Sequence, residues 1–379
     1  MTKTLKTVAL VVTVTEGQPG SMQAYARMVE RVLSEFAADH YHVRTINLLR
    51  GCPAWPWSSP RWRWRLQQLW LMLTASYQLN RLQVDLIHLL DGSFAHILRG
   101  VSKHKTVVIT VHDLIPLRQS QGYFPVSSPN QAARFLITQG CGILKHYQGS
   151  LCAVSSSTAQ DLSRILGIGT PSPVLYLSLR SELVEHKPEN LLPWPNRVWH
   201  NQRFILHIGN NGFYKNRVGV LKSFAKVQKQ FPVRLIIAGA PLDQTLKDQA
   251  QSLRILDYFD VYPNPTDQQL ARLYEKASLL LFPSYYEGFG WPPLEAMLFG
   301  CPVVCSNTGS LPEVVGDAAL MAAPDDHSAL AQHCLTFLSN PKKSKDFIQR
   351  GFKNLERFTE AKMAFDLINF YSERLSHSP

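Results

Sequence analysis

Short apolar, β-branched runs alternate with stretches of helical periodicity from the start of the chain. Thr7 to Val14, His42 to Asn47, Leu86 to Leu90, Thr106 to Val111, Leu151 to Val154 and Val174 to Tyr176 read as strands with helices between them, the βα rhythm of a parallel sheet. Val107-Val108-Ile109-Thr110-Val111 lacks polar alternation, as expected of a strand covered by helices on both faces. The rhythm breaks between His186 and Gln202, where prolines can neither extend a helix nor donate to a ladder. It restarts at Phe204 to Ile208, Arg234 to Ala238, Leu279 to Pro283 and Pro302 to Ser306. The pattern predicts an α/β protein of two doubly wound, Rossmann-like domains facing each other across a cleft. Their expected bounds are 1–185 and 203–356, joined by a linker over 186–202. Met363, Phe365, Leu367, Ile368, Phe370 and Tyr371 stand at helical spacing, so 357–379 is expected to form a final amphipathic helix that packs back on the first domain.

Length and composition agree with this organisation. A chain of 379 residues is too long for one ordinary core, and 45% hydrophobic against 18% charged residues is the balance of a folded protein. Met1 to Lys6 leads straight into the first strand, so no signal peptide is expected. No run approaches the roughly 18 apolar residues of a spanning helix. The expected location is the cytoplasm, with any membrane contact peripheral. The six cysteines are scattered, four of them in apolar runs, and read as reduced core thiols rather than a disulfide framework or a zinc site.

Charge changes the picture more. Residues 1–180 hold 18 Lys/Arg against 8 Asp/Glu, whereas 181–379 hold 21 against 20. The first half should therefore meet something anionic, such as lipid headgroups or a phosphorylated acceptor. No helix-turn-helix, finger or RNA-recognition motif is present, so nucleic acid is not an expected partner. The basic excess is densest around a segment rich in Trp and Arg: Trp55, Trp57, Trp62, Trp64 and Trp70 with Arg61, Arg63, Arg65 and Arg81. Two readings stand side by side for residues 55–81: a face that docks on an anionic membrane, or a helix whose tryptophans pack in the core.

Candidate chemistry concentrates in the second half. From Phe282 to Pro324 the order is strand, glycine-containing turn, helix, strand, loop, helix. Gly288 and Gly290 let the backbone approach a ligand, and Pro292 and Pro293 suit a helix start, whose positive end favours a diphosphate. Glu287 and Glu295 flank this turn, and carboxylates suit sugar and ribose hydroxyls. Upstream, Lys215, Asn216 and Arg217 follow the first strand of the second domain, where a cation would neutralise a leaving diphosphate. In the first half, Gly17 to Ser21 forms a glycine-containing turn before a helix. His112 and Asp113 end the most apolar strand, at the carboxyl edge where open α/β sheets bind ligands.

The Phe282 to Pro324 stretch, with its two glutamates separated by seven residues and the following Thr308-Gly309-Ser310-Leu311-Pro312-Glu313 loop, resembles the signature of retaining family-4 glycosyltransferases of GT-B fold. The resemblance implies that Glu287 touches the hydroxyls of the transferred sugar and that Glu295 holds the nucleotide ribose. It also implies that the amides of Gly288, Phe289 and Gly290 line the sugar site. Lys215 corresponds to the family's diphosphate lysine. Asn210 and Asn211 stand where an Arg often does, which puts Asn210 beside the donor and leaves either Arg217 as a substitute cation or the site one cation short. Gly20 belongs to a turn similar to the family's first-loop glycine motif, and His112 to the strand end that faces the donor sugar. His112, Lys215 and Glu287 are thus the expected catalytic set, with Gly20, Asn210, Arg217, Gly288, Phe289, Gly290 and Glu295 on the donor.

The absence of any Asp-x-Asp pair argues against a metal-bridged diphosphate. No cofactor is expected beyond the co-substrate, a UDP- or GDP-linked sugar, and the resemblance implies hexose transfer, glucose or mannose, to a glycan, lipid-linked or small-molecule acceptor. Two alternatives stay open: another GT-B enzyme, such as a nucleotide-sugar epimerase or a phosphorylase, and a donor-binding scaffold without turnover.

Overall fold

The computed structural model describes residues 5–13, 20–53, 59–124, 129, 131–189, 191 and 202–376. The chain divides into two compact units, one of residues 1–178 with 360–379 and the other of residues 179–359.

In the first unit, β1 (Lys6–Val12), β2 (Tyr41–Asn47), β3 (Leu86–Leu89), β4 (Val107–Val111) and β5 (Leu151–Ala153) form a parallel sheet in the order β2-β1-β3-β4-β5. All five residues of β4 are buried, as its unbroken apolar run requires. Val174 to Tyr176 falls short of the strand expected there: only Val174 pairs, in a single bridge to Ala153. One face of the sheet packs Ile87, Leu89, Ile109 and Val111 against Leu71, Ala75 and Leu79 of the helix Pro60–Asn80.

The helix Glu360–Ser376 belongs to this unit. It buries Met363, Leu367, Phe370 and Tyr371. Tyr371 Oη lies 2.6 Å from His88 Nδ1, and Tyr41 Oη lies 3.1 Å from Ser372 Oγ. Phe365, counted on the apolar face from its spacing, is instead 65% exposed, because it projects nearly opposite Leu367 and Phe370 around the helix.

In the second unit, β6 (Phe204–Gly209), β7 (Arg234–Gly239), β8 (Phe259–Pro263), β9 (Leu279–Phe282), β10 (Val303–Ser306) and β11 (Ala319–Ala322) run parallel in the order β11-β10-β9-β6-β7-β8. The central strands match the apolar runs. The two edge strands were not foreseen, since Phe259–Pro263 is only half-buried and interrupted by Asp260 and Ala319–Ala322 has no β-branched residue.

This unit begins earlier than the proline-rich stretch suggests. Leu179 N already donates to Phe358 O at 3.3 Å, and Arg180 forms ion pairs with Asp267 and Glu295. Residues 179–185 are therefore tied into the second unit although the sequence assigned them to the first. Of the expected linker, residues 190 and 192–201 lie outside the described residues.

Candidate active site

Adjacent parallel strands β6 and β9 end on the same edge of the second sheet, and the loops leaving them carry the expected chemistry. After β6 the chain makes a tight turn, Phe213–Lys215, and Asn216 adopts a left-handed φ of 50°. That conformation suits asparagine, and its side chain caps the helix Arg217–Gln228 by accepting from Gly219 N at 3.0 Å. Asn216 Nδ2 also donates to Pro283 O and Pro324 O, each at 2.9 Å. Tyr285 N donates to Tyr214 O at 2.8 Å. The lysine turn is thereby fastened to the loop that follows β9.

Lys215 Nζ reaches both carboxylate oxygens of Glu287, at 2.8 Å and 3.0 Å. The two side chains are only 14% and 10% exposed, so the attraction is weakly screened. The ammonium also stands 5.0 Å from the centre of the Phe282 ring, a cation–π contact that holds it against the strand end. Glu287 is fixed from its backbone side as well. Ser310 Oγ donates to Glu287 O at 2.9 Å, and Gly309, at φ 59°, packs so closely that a Cβ there would lie 3.0 Å from that oxygen.

The helix Trp291–Leu298 is capped by Gly290 at φ 112°, a conformation open to glycine. Pro292 and Pro293 start it but carry no N–H, so its first turn offers fewer amide donors than a generic helix start. Phe289 is buried edge-to-face against Phe358, 5.7 Å between centroids. Glu295, one turn into the helix, is 3% exposed and already held: Arg180 Nε donates to Oε1 at 2.5 Å and Tyr274 Oη to Oε2 at 2.6 Å. Neither Arg180 nor Tyr274 was singled out from sequence. They lie 115 and 21 residues from Glu295, in stretches with no motif around them.

Arg217, expected as a substitute cation, is 4% exposed. Its guanidinium donates to Gly209 O at 2.6 Å and Ala240 O at 2.8 Å and bonds Asn211 Oδ1, bracing the loops after β6 and β7. Burial draws its pKa down to about 10. Asn210 is exposed, and its Oδ1 accepts from Gly212 N at 2.9 Å. His207, fully buried on β6, donates from Nδ1 to Leu281 O at 3.0 Å, which leaves Nε2 as an acceptor with no partner among the described residues. Burial, then the Arg217 and Lys215 charges, push its pKa down to about 3.

The other expected residues lie in the first unit. His112 follows β4. The Leu90 carbonyl, 3.0 Å from Nε2, can only accept, so Nε2 bears the proton and Nδ1 is the acceptor in the neutral ring. Burial lowers its pKa, outweighing the Asp91 charge and the Leu90 bond. Tyr25 meets the ring edge-on at 4.6 Å. Asp113 Oδ1 accepts from Ile115 N at 2.9 Å and shapes the turn. Gly20 precedes the helix Ser21–Phe36 in extended backbone, with open space where a Cβ would sit, so neither conformation nor crowding requires glycine there. Residues 14–19 of its turn lie outside the described residues.

Each unit is thus a parallel α/β sheet, and the second carries the Lys215–Glu287 and Arg180–Glu295 pairs. Residues 191–354 match the family described as Glycosyl transferases group 1. The chain is 33% identical over 205 residues to O-antigen chain mannosyltransferase B of Escherichia coli, a match covering 52% of each chain. It is 24% identical over 238 residues to O-antigen chain mannosyltransferase RfbU of Salmonella typhimurium, covering 60% of this chain and 63% of that one. Among solved structures, sucrose-phosphate synthase from Thermosynechococcus elongatus superposes with a TM-score of 0.76 at 18% identity, covering 98% of this chain and 100% of that chain. WaaG, a glycosyltransferase involved in lipopolysaccharide biosynthesis, gives 0.69 at 14% identity, covering 96% and 98%. The fold is therefore GT-B, and the second unit is a group 1 glycosyltransferase domain. The chain spans about half the length of the first of these curated relatives.

Proposed function

We propose that the protein is a retaining glycosyltransferase that moves a hexose from a UDP- or GDP-linked sugar to a glycan or lipid-linked acceptor without a metal. The observation that carries this reading is the buried Lys215–Glu287 pair at the strand ends of the group 1 domain. A lysine held by a carboxylate at this point is placed to shift onto an incoming diphosphate, freeing Glu287 to accept from sugar hydroxyls. In the reaction the bond from the anomeric carbon to the diphosphate breaks and a bond from that carbon to the acceptor oxygen forms on the same face. The acceptor proton leaves on the diphosphate. Lys215 and the amides from Gly288 to Gly290 would stabilise the charge that develops on the leaving group, and neutral His112 would accept from a sugar hydroxyl through Nδ1. The names of the O-antigen relatives favour mannose as the sugar.

The same reading places the protein on the cytoplasmic face of the membrane, through the helix Pro60–Asn80. Trp62, Leu69, Leu73 and Tyr77 lie 57%, 52%, 71% and 61% exposed along one stripe, and Arg65 stacks on Trp62. The helix contains no acidic residue, so its charge suits anionic headgroups. Core packing does not account for Trp62 and Trp64, while Trp70 is half-buried and donates to Leu48 O at 3.1 Å. Trp55 and Trp57 lie outside the described residues.

The test is product analysis. Purified protein with a sugar nucleotide and a lipid-linked or oligosaccharide acceptor, in excess EDTA, should yield a glycoside whose anomeric configuration by NMR matches the donor's. An inverted product, a sugar phosphate, or strict dependence on added metal would overturn the reading.

A further inference from the structure

Glu295 reaches its position with both oxygens occupied by protein donors. Arg180, on the segment that opens the second unit, donates from Nε to Oε1 at 2.5 Å, while its NH1 is anchored to Asp267 Oδ1 at 3.0 Å. Tyr274, on the helix Asp267–Lys276, donates to Oε2 at 2.6 Å and stacks parallel on Phe299, 5.9 Å between centroids. The donors come from separate elements, so the plane of the carboxylate is fixed from two directions.

This arrangement leaves capacity to spare. A carboxylate offers about four lone-pair sites, and two donors use one on each oxygen. The other two lie in one plane, a spacing that suits the two hydroxyls of a vicinal diol. A free glutamate would have to lose rotamer freedom on binding such a diol, a cost that prior ordering removes.

We propose that Arg180 and Tyr274 are positioning residues that lock the Glu295 carboxylate so that its two unused lone pairs meet the 2′- and 3′-hydroxyls of the nucleotide ribose, and that they thereby set a preference for ribo- over 2′-deoxyribonucleotides. This rests on the reading of Glu295 as the ribose carboxylate. Both donors keep their protons. Burial disfavours the Arg180 charge, but the Glu295 carboxylate outweighs it and raises the pKa. Burial, followed by the Glu295 charge, holds the Tyr274 phenol well above its ordinary range.

The experiment is calorimetric titration of UDP and GDP, and of their 2′-deoxy counterparts, into wild type, Arg180→Met, Tyr274→Phe and Glu295→Ala. Tyr274→Phe keeps the ring and its stacking, so it remains informative should Arg180→Met fold poorly. In Tyr274→Phe and Arg180→Met, affinity for the ribonucleotide should fall about fivefold to tenfold, the worth of one to one and a half positioned hydrogen bonds. Affinity for the 2′-deoxy form should stay within about twofold of wild type. Glu295→Ala should erase the preference. If Glu295→Ala erases it while Tyr274→Phe and Arg180→Met weaken both nucleotides equally, or neither, the positioning role is wrong and the ribose reading survives. If Glu295→Ala leaves the preference intact, the ribose reading falls and the positioning role with it.

Discussion

Lys215 Nζ bonds both oxygens of Glu287, at 2.8 Å and 3.0 Å, across 72 residues of sequence. The pair joins the loop after β6 to the loop after β9, and each side chain is largely shielded from water. Replacing Lys215 by Met leaves a buried carboxylate without its counter-charge. Thermal or denaturant unfolding should show a loss of about 3 kcal/mol. If the ammonium also stabilises the leaving diphosphate, turnover should fall about 10² to 10³-fold, beyond what the folded fraction explains.

Gly309 should be as sensitive as a catalytic residue although it bears no side chain. Its φ of 59° and the 3.0 Å distance from a would-be Cβ to Glu287 O make Gly309→Ala both strained and displacing. We expect a loss of about 1 to 3 kcal/mol and a fall in turnover greater than in the control Gly169→Ala, where a Cβ meets open space. Melting temperature and initial rates on the two variants check this.

Stability should decline on mild acidification. His88 and His207 are buried, and burial first of all pushes both pKa values down to about 3 from the ordinary 6.5. Each folded pKa is depressed, so the unfolded chain takes up the proton first. The stabilising contribution is full above pH 6.5 and is lost progressively as pH falls from 6.5 towards 3, by up to about 1.4 kcal/mol per pH unit for each histidine. Melting curves between pH 7 and pH 4 should show this slope, and His207→Gln should flatten it for the second unit.

Membrane docking through the helix Pro60–Asn80 makes a separable prediction. Leu73→Ser with Arg65→Glu, both on exposed positions, should abolish co-sedimentation with phosphatidylglycerol vesicles while leaving nucleotide affinity unchanged. Unaltered sedimentation would remove the helix from consideration as the docking surface.

Much of this was legible in sequence where one local pattern decided the outcome. The unbroken apolar run of β4 announced a strand covered on both faces. The two glutamates and the Thr308 to Glu313 loop stood out as candidate chemistry, because glycine, proline and carboxylate fall within one short stretch. What remained hidden depends on long-range partners. The carbonyls of Gly209 and Ala240 that Arg217 bonds could not be read from its own neighbourhood in the sequence. Arg180 looked like part of the first domain until its pairing with Glu295, 115 residues away, tied it to the second. The edge strands β8 and β11 escaped because an edge needs less apolar character than a centre.

The most direct test of the central claim, that the second unit binds a sugar nucleotide at Lys215 and Glu287, is a thermal-shift panel of UDP-, GDP- and ADP-sugars in EDTA on wild type and Lys215→Met. The account expects one nucleotide family to raise the wild-type melting temperature in EDTA and to have little effect on the variant. No shift with any donor, or an equal shift in the variant, would contradict it.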